Sequence, residues 1–292
     1  MVPGGAAGSV ATVPDPTPAS APAIRLTPRA THLATALVLR AAQRDEDPDT
    51  TVSRGAAVLA PQAHEPLARH IGDLRTIDLP DLAVAPMPPV ELLAAFGADE
   101  ATCQAVLSAR SGVAVALVRP RDEALSAERA VRAAAAVLSG PGDVTIDTAV
   151  PRVWPVRDSS TDVPRSADWF VLDRIPTGDG SGTRTHGLAR FGLPELMVED
   201  VAEDELPAWD AAFVGVVHVL LARLAMLTAG QLVLDATVRV TVADVAAGYS
   251  EPFDESDPTV RRGTDLRLEL LASDEDPGVL RLTGAPVQDL FG

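Results

Sequence analysis

Apolar and polar positions alternate with different periods along the chain, and the first half holds one well-marked unit. Val113 to Val118 is an uninterrupted apolar run that predicts a buried strand. After Arg119-Pro120 comes a helical pattern from about Ser126 to Ser139, with Ser126 as its cap and Gly140-Pro141 as its stop. Val144, Ile146, Thr148 and Val150 then alternate as a second strand, so residues 113–150 read as β-α-β. Strands of such a unit are expected to be parallel neighbours joined by a right-handed crossover.

Upstream the periods are mixed. His32 to Arg44 fits a helix through Leu33, Ala36, Leu37 and Ala41, but Ala36 to Leu39 also fits a buried strand, and the pattern leaves both open. Gly55 to Ala60 predicts a short strand, Pro66 to Ile71 a helical turn, and Pro80 to Pro89 a proline-punctuated loop. Asp99 is placed to cap a helix whose positions Cys103, Val106 and Leu107 share a face, ending at Ser111-Gly112.

Downstream, Trp169 to Ile175 and Thr183 to Leu188 predict a hairpin around a glycine-rich tip. Ala211 to Leu227 is long and apolar, but it contains His218 and Arg223, and a central arginine costs about 2.5–3.5 kcal/mol on insertion scales, so a buried globular helix is expected. Thr237 to Val242 and Asp265 to Leu270 alternate strictly, and a turn at Ser273 to Gly278 leads into a strand at Val279 to Thr283. The expected class is α+β: an N-terminal half with the β-α-β unit, and a C-terminal half of mostly antiparallel sheet packed on one long apolar helix. The expected organisation is a disordered tail at 1–23, an α/β subdomain at 24–150, a linker or crossing loop at 151–166 and an α+β subdomain at 167–292.

Composition narrows the functions. The 292 residues carry 24 basic against 41 acidic side chains, a formal charge of −17, which argues against a grip on nucleic-acid phosphates. All the basic residues are arginine; lysine and asparagine do not occur. Arginine therefore fills positions that lysine would otherwise take, and a surface arginine marks no site by itself. Residues 1–150 hold 17 acidic and 12 basic side chains, residues 151–292 hold 24 and 12, so the halves carry −5 and −12. Most of that excess sits at Glu199-Asp200, Glu203 to Glu205, Glu251 to Asp257 and Asp274 to Asp276, in segments that read as loops. These read as a solvating surface or as a docking face for a basic protein. The start of the chain lacks the basic and apolar regions of a signal peptide, and a cytoplasmic location without membrane association is expected.

No cofactor or metal is expected. The turn after the first β-α-β strand, Arg119 to Glu123, has no glycine for a nucleotide phosphate. His64-Glu65 is followed by its next histidine only at His70, too far round a helix to share a metal. Cys103 stands alone and reads as a structural thiol, His218 as a hydrogen-bonded histidine of an apolar helix, and Ser181 lacks the glycine that a nucleophile elbow needs before it. The densest chemistry lies in Thr183 to Leu196, where Arg184 and Arg190 are candidate anion ligands and His186 and Glu195 candidate catalytic groups. The same segment also reads as a tight turn anchored by Leu188, Phe191, Leu193 and Leu196, with its polar residues satisfying its own backbone.

THGLARFGLPEL, preceded by a tryptophan-containing strand and followed by acidic residues and WDAAFVGVVHVLL, resembles bacterial families known as domains of unknown function. The resemblance covers roughly residues 165–250 and implies a cytoplasmic bacterial α+β protein, with no catalytic residues to carry over. The leading expectation is a non-enzymatic protein-binding module of immunity or regulatory type. The alternative is an enzyme or small-molecule binder using Arg184, His186, Arg190 and Glu195 around an anionic ligand.

Overall fold

The computed structural model describes residues 23–26, 31–82, 87–154, 165–178, 180–226, 232–271 and 278–284. Among them are seven α-helices and thirteen strands in three sheets, an α+β architecture. The first sheet has the order β3 (Arg75–Leu79), β4 (Ser111–Pro120), β2 (Thr31–Arg40), β5 (Val144–Asp147), β6 (Arg152–Trp154), and each neighbouring pair is antiparallel. The segment left open between helix and strand is thus the central strand, β2. It contributes side chains to both faces, and its continuous apolar run Ala36–Leu39 is buried on both.

The β-α-β expectation is corrected in its pairing. β4 and β5 do run parallel, joined through α5 (Ala124–Leu138), but β2 lies between them and pairs antiparallel with each. An antiparallel insertion supplies ladder bonds to both strands without a crossover of its own. The Ser126 cap is also corrected: a 3-10 turn at Arg121–Glu123 leads straight into α5, which leaves Ser126 inside the first turn, facing His70.

One face of this sheet, formed by Ala34, Ala36, Val38, Val113, Val115 and Leu117, packs on α5, α1 (Pro48–Ala56) and α2 (Pro61–His70). Asp47 accepts the Thr50 amide and Pro48 presets the first turn, so Gly55 and Ala56 end a helix where a strand was expected at 55–60. Gly55 lets α1 approach α5 closely, since a Cβ there would lie 2.2 Å from Val137. The helical turn expected at 66–71 belongs to the longer α2, which accommodates Pro66. On the opposite face, α3 (Val90–Ala95) and α4 (Glu100–Ser108), the latter capped by Asp99 as expected, pack against β5 and β6.

The second sheet has the order β11 (Thr237–Thr241), β12 (Gly263–Leu271), β13 (Val279–Gly284), β9 (Glu195–Val201), β8 (Ser181–His186), β7 (Val171–Pro176). Every junction is antiparallel except β13–β9. The long apolar helix α6 (Leu206–Ala225) lies beside this sheet, with α7 (Val242–Tyr249) beside it in turn. By length and composition α6 with the turn before it, Glu203–Ala225, is apolar enough to cross a membrane, yet Phe213, Val216, Val217 and Leu220 are wholly buried against the sheet. β1 (Ala23–Leu26) pairs antiparallel with β10 (Leu232–Asp235), and Leu26 joins the core of the second sheet.

The pattern missed β1, β3, α3, β6, β9, β10 and α7. β6 falls within the expected linker at 151–166, of which 155–164 lie outside the described residues. Residues 1–22 of the expected tail, 83–86 of the proline loop, 179 of the hairpin tip and 272–277 of the last turn also lie outside them.

Candidate functional site

The Thr183–Leu196 segment sits where the two sheets meet, and the structure divides its four candidate residues between two environments. Arg184 and His186 share the outer face of β8, alternating with Thr183 and Thr185, which are fully buried. His186 Nε2 lies 3.5 Å from Asp173 Oδ2 on the neighbouring strand, both part-exposed. Glu195 points inward. One carboxylate oxygen accepts the amides of Gly187 and Ala189 at 2.9 and 3.1 Å, and the other accepts the Thr185 hydroxyl at 2.8 Å. It is the buried acceptor that closes the turn Leu188–Phe191, while Leu188, Phe191, Leu193 and Leu196 fill the core below. Gly187 adopts φ 129°, and a Cβ there would lie 2.5 Å from the Trp169 carbonyl, so only glycine fits.

Arg190 turns toward the first sheet. Its guanidinium reaches Asp147 of β5 at 2.7 and 2.8 Å and Glu128 of α5 at 3.3 Å, with Nε donating to Gly187 O at 3.2 Å. Glu128 also bonds His32 Nε2 of β2 at 2.9 Å, and Asp147 accepts from Trp154 Nε1 and the Ala149 amide. His32, Glu128, Asp147 and Arg190 are all buried. Burial works against the Arg190 charge, but Asp147 and Glu128 outweigh it and hold the guanidinium more firmly protonated than usual. Aromatic rings line the network: His32 stacks on Phe191, Trp169 meets Phe191 edge-on, and Arg190 lies 5.9 Å from the Trp169 ring centre. α5 and β5 thus converge directly on one arginine, with β2 and β6 holding their acids from behind, and leave it saturated. The arrangement joins the two sheets and offers no free group for proton transfer.

Of these residues, sequence reasoning singled out Arg190 but missed His32, Glu128 and Asp147 as its partners. The available signal was parity: on the β5 alternation Asp147 falls opposite Ile146, on the face that packs against α5. Elsewhere, His70 is buried with Nε2 bonded to Ser126 Oγ at 2.9 Å, and burial pushes its imidazole below the usual range, with Arg119 adding to the effect. His218 Nδ1 lies 3.2 Å from Ser166 Oγ, and Cys103 is half-buried beside the Ala98 carbonyl. Among the described residues no group of three or more His, Cys, Asp or Glu is placed to hold a metal ion.

Two open features lie on the first sheet. α3 and α4 cover the side of β5 and β6, and among the described residues no element covers the other side of that face. There the register aligns Leu33 with Val118, Thr35 with Ala116 and Arg75, and Ala114 with Ile77. Leu33, Val118 and Ile77 are 58%, 61% and 54% exposed, although all three sit on regular strands. Nearby, a cavity of about 330 Å³ lies between the end of β3 and α4, lined mainly by Leu82, Met87, Val90, Val106 and Leu107, with Asp81 and Arg110 among its polar residues. No protein-family model, curated protein or solved structure matches the chain.

Proposed function

We propose that this protein acts in the bacterial cytoplasm by binding another protein, in a non-enzymatic role of immunity or regulatory type. The observation that carries the reading is the bare half of the first sheet. Leu33 and Val118 stand exposed as a cross-strand pair, and Ile77 is exposed on the same face beyond Arg75, Ala116 and Thr35, on ordered strands where a folded chain would ordinarily place polar groups. The four polar candidates of the 183–196 segment lend the enzyme alternative no comparable support, because Arg190 and Glu195 are consumed by buried partners and His186 faces outward beside Asp173.

The partner meets this face with an apolar surface and carries a net basic charge. Glu199, Asp200, Glu203 and Asp204 are exposed near the end of β9, as are Glu251, Asp254, Glu255 and Asp257 after α7, and their field steers a basic protein toward the molecule. The acidic group at 274–276 lies outside the described residues.

The test is affinity capture from a lysate of the source organism with the wild-type protein and with Val118→Asp, whose folding is checked by circular dichroism. A partner held by the wild type, lost by Val118→Asp, and recruited more slowly as salt rises is the expected outcome. Failure to recover any partner at low and moderate salt, or equal recovery by both proteins, rejects the reading.

A further inference from the structure

Where the end of α2 meets the start of α5, a hydroxyl, an imidazole and a carboxylate come together. His70 is the last residue of α2, Glu123 closes the 3-10 turn before α5, and Ser126 lies in the first turn of that helix. Residues 123 and 126 are three apart, so they face the same side of the chain. The His70 ring lies against both: Nε2 is 2.9 Å from Ser126 Oγ, and Nδ1 is 4.0 Å from Glu123 Oε2. The two ring nitrogens thus address a hydroxyl and a carboxylate, in the order that a nucleophile, its base and an orienting acid must take.

The ring proton can be placed from the surroundings. Burial, with Arg119 adding to it, pushes the imidazole below its usual range, so at neutral pH the ring is uncharged and one nitrogen keeps a lone pair. His70 is only 1% exposed, and its Nδ1 is shut off from solvent with no hydrogen-bond partner. Glu123 faces that nitrogen as an anion, because Arg119 Nε donates to its Oε2 at 2.7 Å and holds the carboxyl below the usual range. Arg119 is anchored in turn by Asp73, also at 2.7 Å. The carboxylate favours the proton on Nδ1, which makes Nε2 the acceptor and Ser126 the donor. Glu123 is part-exposed and needs to move by about 1 Å to complete the bond, and contacts of this kind tighten when a site is loaded.

A histidine kept only for packing would be expected to satisfy both of its nitrogens, and this one satisfies the nitrogen that faces a hydroxyl. Ser126 is part-exposed while the imidazole behind it is covered, which leaves the hydroxyl as the reachable end of the chain of groups.

We infer that Ser126 is a nucleophilic serine that accepts an acyl group from an activated ester, with His70 as its general base and Glu123 positioning the imidazole. Nε2 removes the Oγ proton as Oγ bonds to the carbonyl carbon. The bond from that carbon to the leaving oxygen then breaks, and His70 returns the proton to the departing oxygen. The product is an acyl-serine at the start of α5, on the opposite face of the first sheet from Leu33 and Val118. This modification site is separate from the Arg184–Glu195 segment, and it stands whether or not a protein partner exists.

The test is labelling of the intact chain with an alkyl fluorophosphonate, which forms an Oγ–P bond and expels fluoride, and with p-nitrophenyl acetate. Both are read by intact-mass and peptide-mass spectrometry. The folded protein should take one adduct, mapped to Ser126, and the protein unfolded in urea should take none. Ser126→Ala should lose the adduct, whereas Ser139→Ala, whose hydroxyl bonds Ala135 O and Thr145, should label as wild type. His70→Gln can still bond Oγ but cannot take its proton, so labelling should slow at least about a hundredfold, with folding checked by circular dichroism. The charges around the ring are Arg119, Glu123, Arg69 and Asp73, and their balance with burial sets the pH profile. The wild-type rate should rise through a midpoint below pH 6.5 and then level, which carries the base assignment if His70→Gln does not fold. Glu123→Gln removes a charge that raises the His70 value, so it should slow labelling and move the midpoint to lower pH. No adduct on Ser126, equal labelling of folded and unfolded protein, an unchanged rate in folded His70→Gln, or a flat profile from pH 5 to 8 would overturn the proposal.

Discussion

Glu128 and Arg129 are consecutive residues of α5 that lie in opposite electrostatic settings. Glu128 belongs to a closed set in which it, Arg190, Asp147, His32 and Trp154 satisfy one another across five elements. Arg129, next in the chain, is half-buried, and its Nε is shut off from solvent without a hydrogen-bond partner. Both regions lie where the two sheets meet. The difference shows that a net charge of −17 does not set the local balance: acids surround Arg190, where they bolt the halves together, while among the described residues none offsets the burial of Arg129.

Arg190→Met is the most damaging test of this contrast. It strands Asp147 and Glu128 in the interior and should cost about 3–5 kcal/mol in urea unfolding, whereas the same change at Arg129 should cost nothing in chloride buffer. Comparable losses at the two sites would erase the distinction. Gly187→Ala tests the turn that delivers Arg190 to its partners. A Cβ at φ 129°, pressed against the Trp169 carbonyl and Val150, should cost about 2 kcal/mol or more, read from the shift in the urea midpoint.

Acidification separates a third buried group from both. The His70 imidazole packs among Ser126, Glu123, Arg119, Arg69 and Asp73, and burial, then Arg119, depresses its folded value below the unfolded 6.5. The unfolded chain thus binds the proton more readily than the native state. Stability should be full above pH 6.5 and decline as pH falls from there through the lower folded value. Unfolding curves at pH 7.5, 6.5 and 5.5 should show that decline, and His70→Gln should flatten it. The smallest effect is expected on the bare sheet face, where Val118→Thr should change stability by less than about 0.5 kcal/mol. A large loss there would mean that the exposed valine supports the fold itself.

The alternating strands, the apolar α6 and the Asp99 cap could be read from the chain because each is encoded within a few residues of itself. The insertion of β2 between β4 and β5 could not, since strand order depends on contacts between distant segments. The segment around Arg190 drew notice for its glycines and charges, but its meaning rested on His32 and Glu128, which are 96 residues apart, and on Glu128 and Arg190, which are 62 apart. The setting of Arg129 was invisible for the opposite reason. An absent counter-ion leaves no mark in a sequence where arginine is the sole cation. The exposure of Leu33, Ile77 and Val118 was equally hidden, because their apolar pattern matches that of strands whose cover is complete.

The pairing of β1 with β10 bears on how the chain is made. All five strands of the first sheet lie between Thr31 and Trp154 and can assemble while the ribosome is still translating the second. Ala23–Leu26 emerges earlier than any of them, yet its partner strand, Leu232–Asp235, follows only after the whole first sheet and the long helix α6. An apolar strand made this early must therefore stay unmatched, exposed to chaperones and to wrong pairings, until its distant partner emerges to claim it.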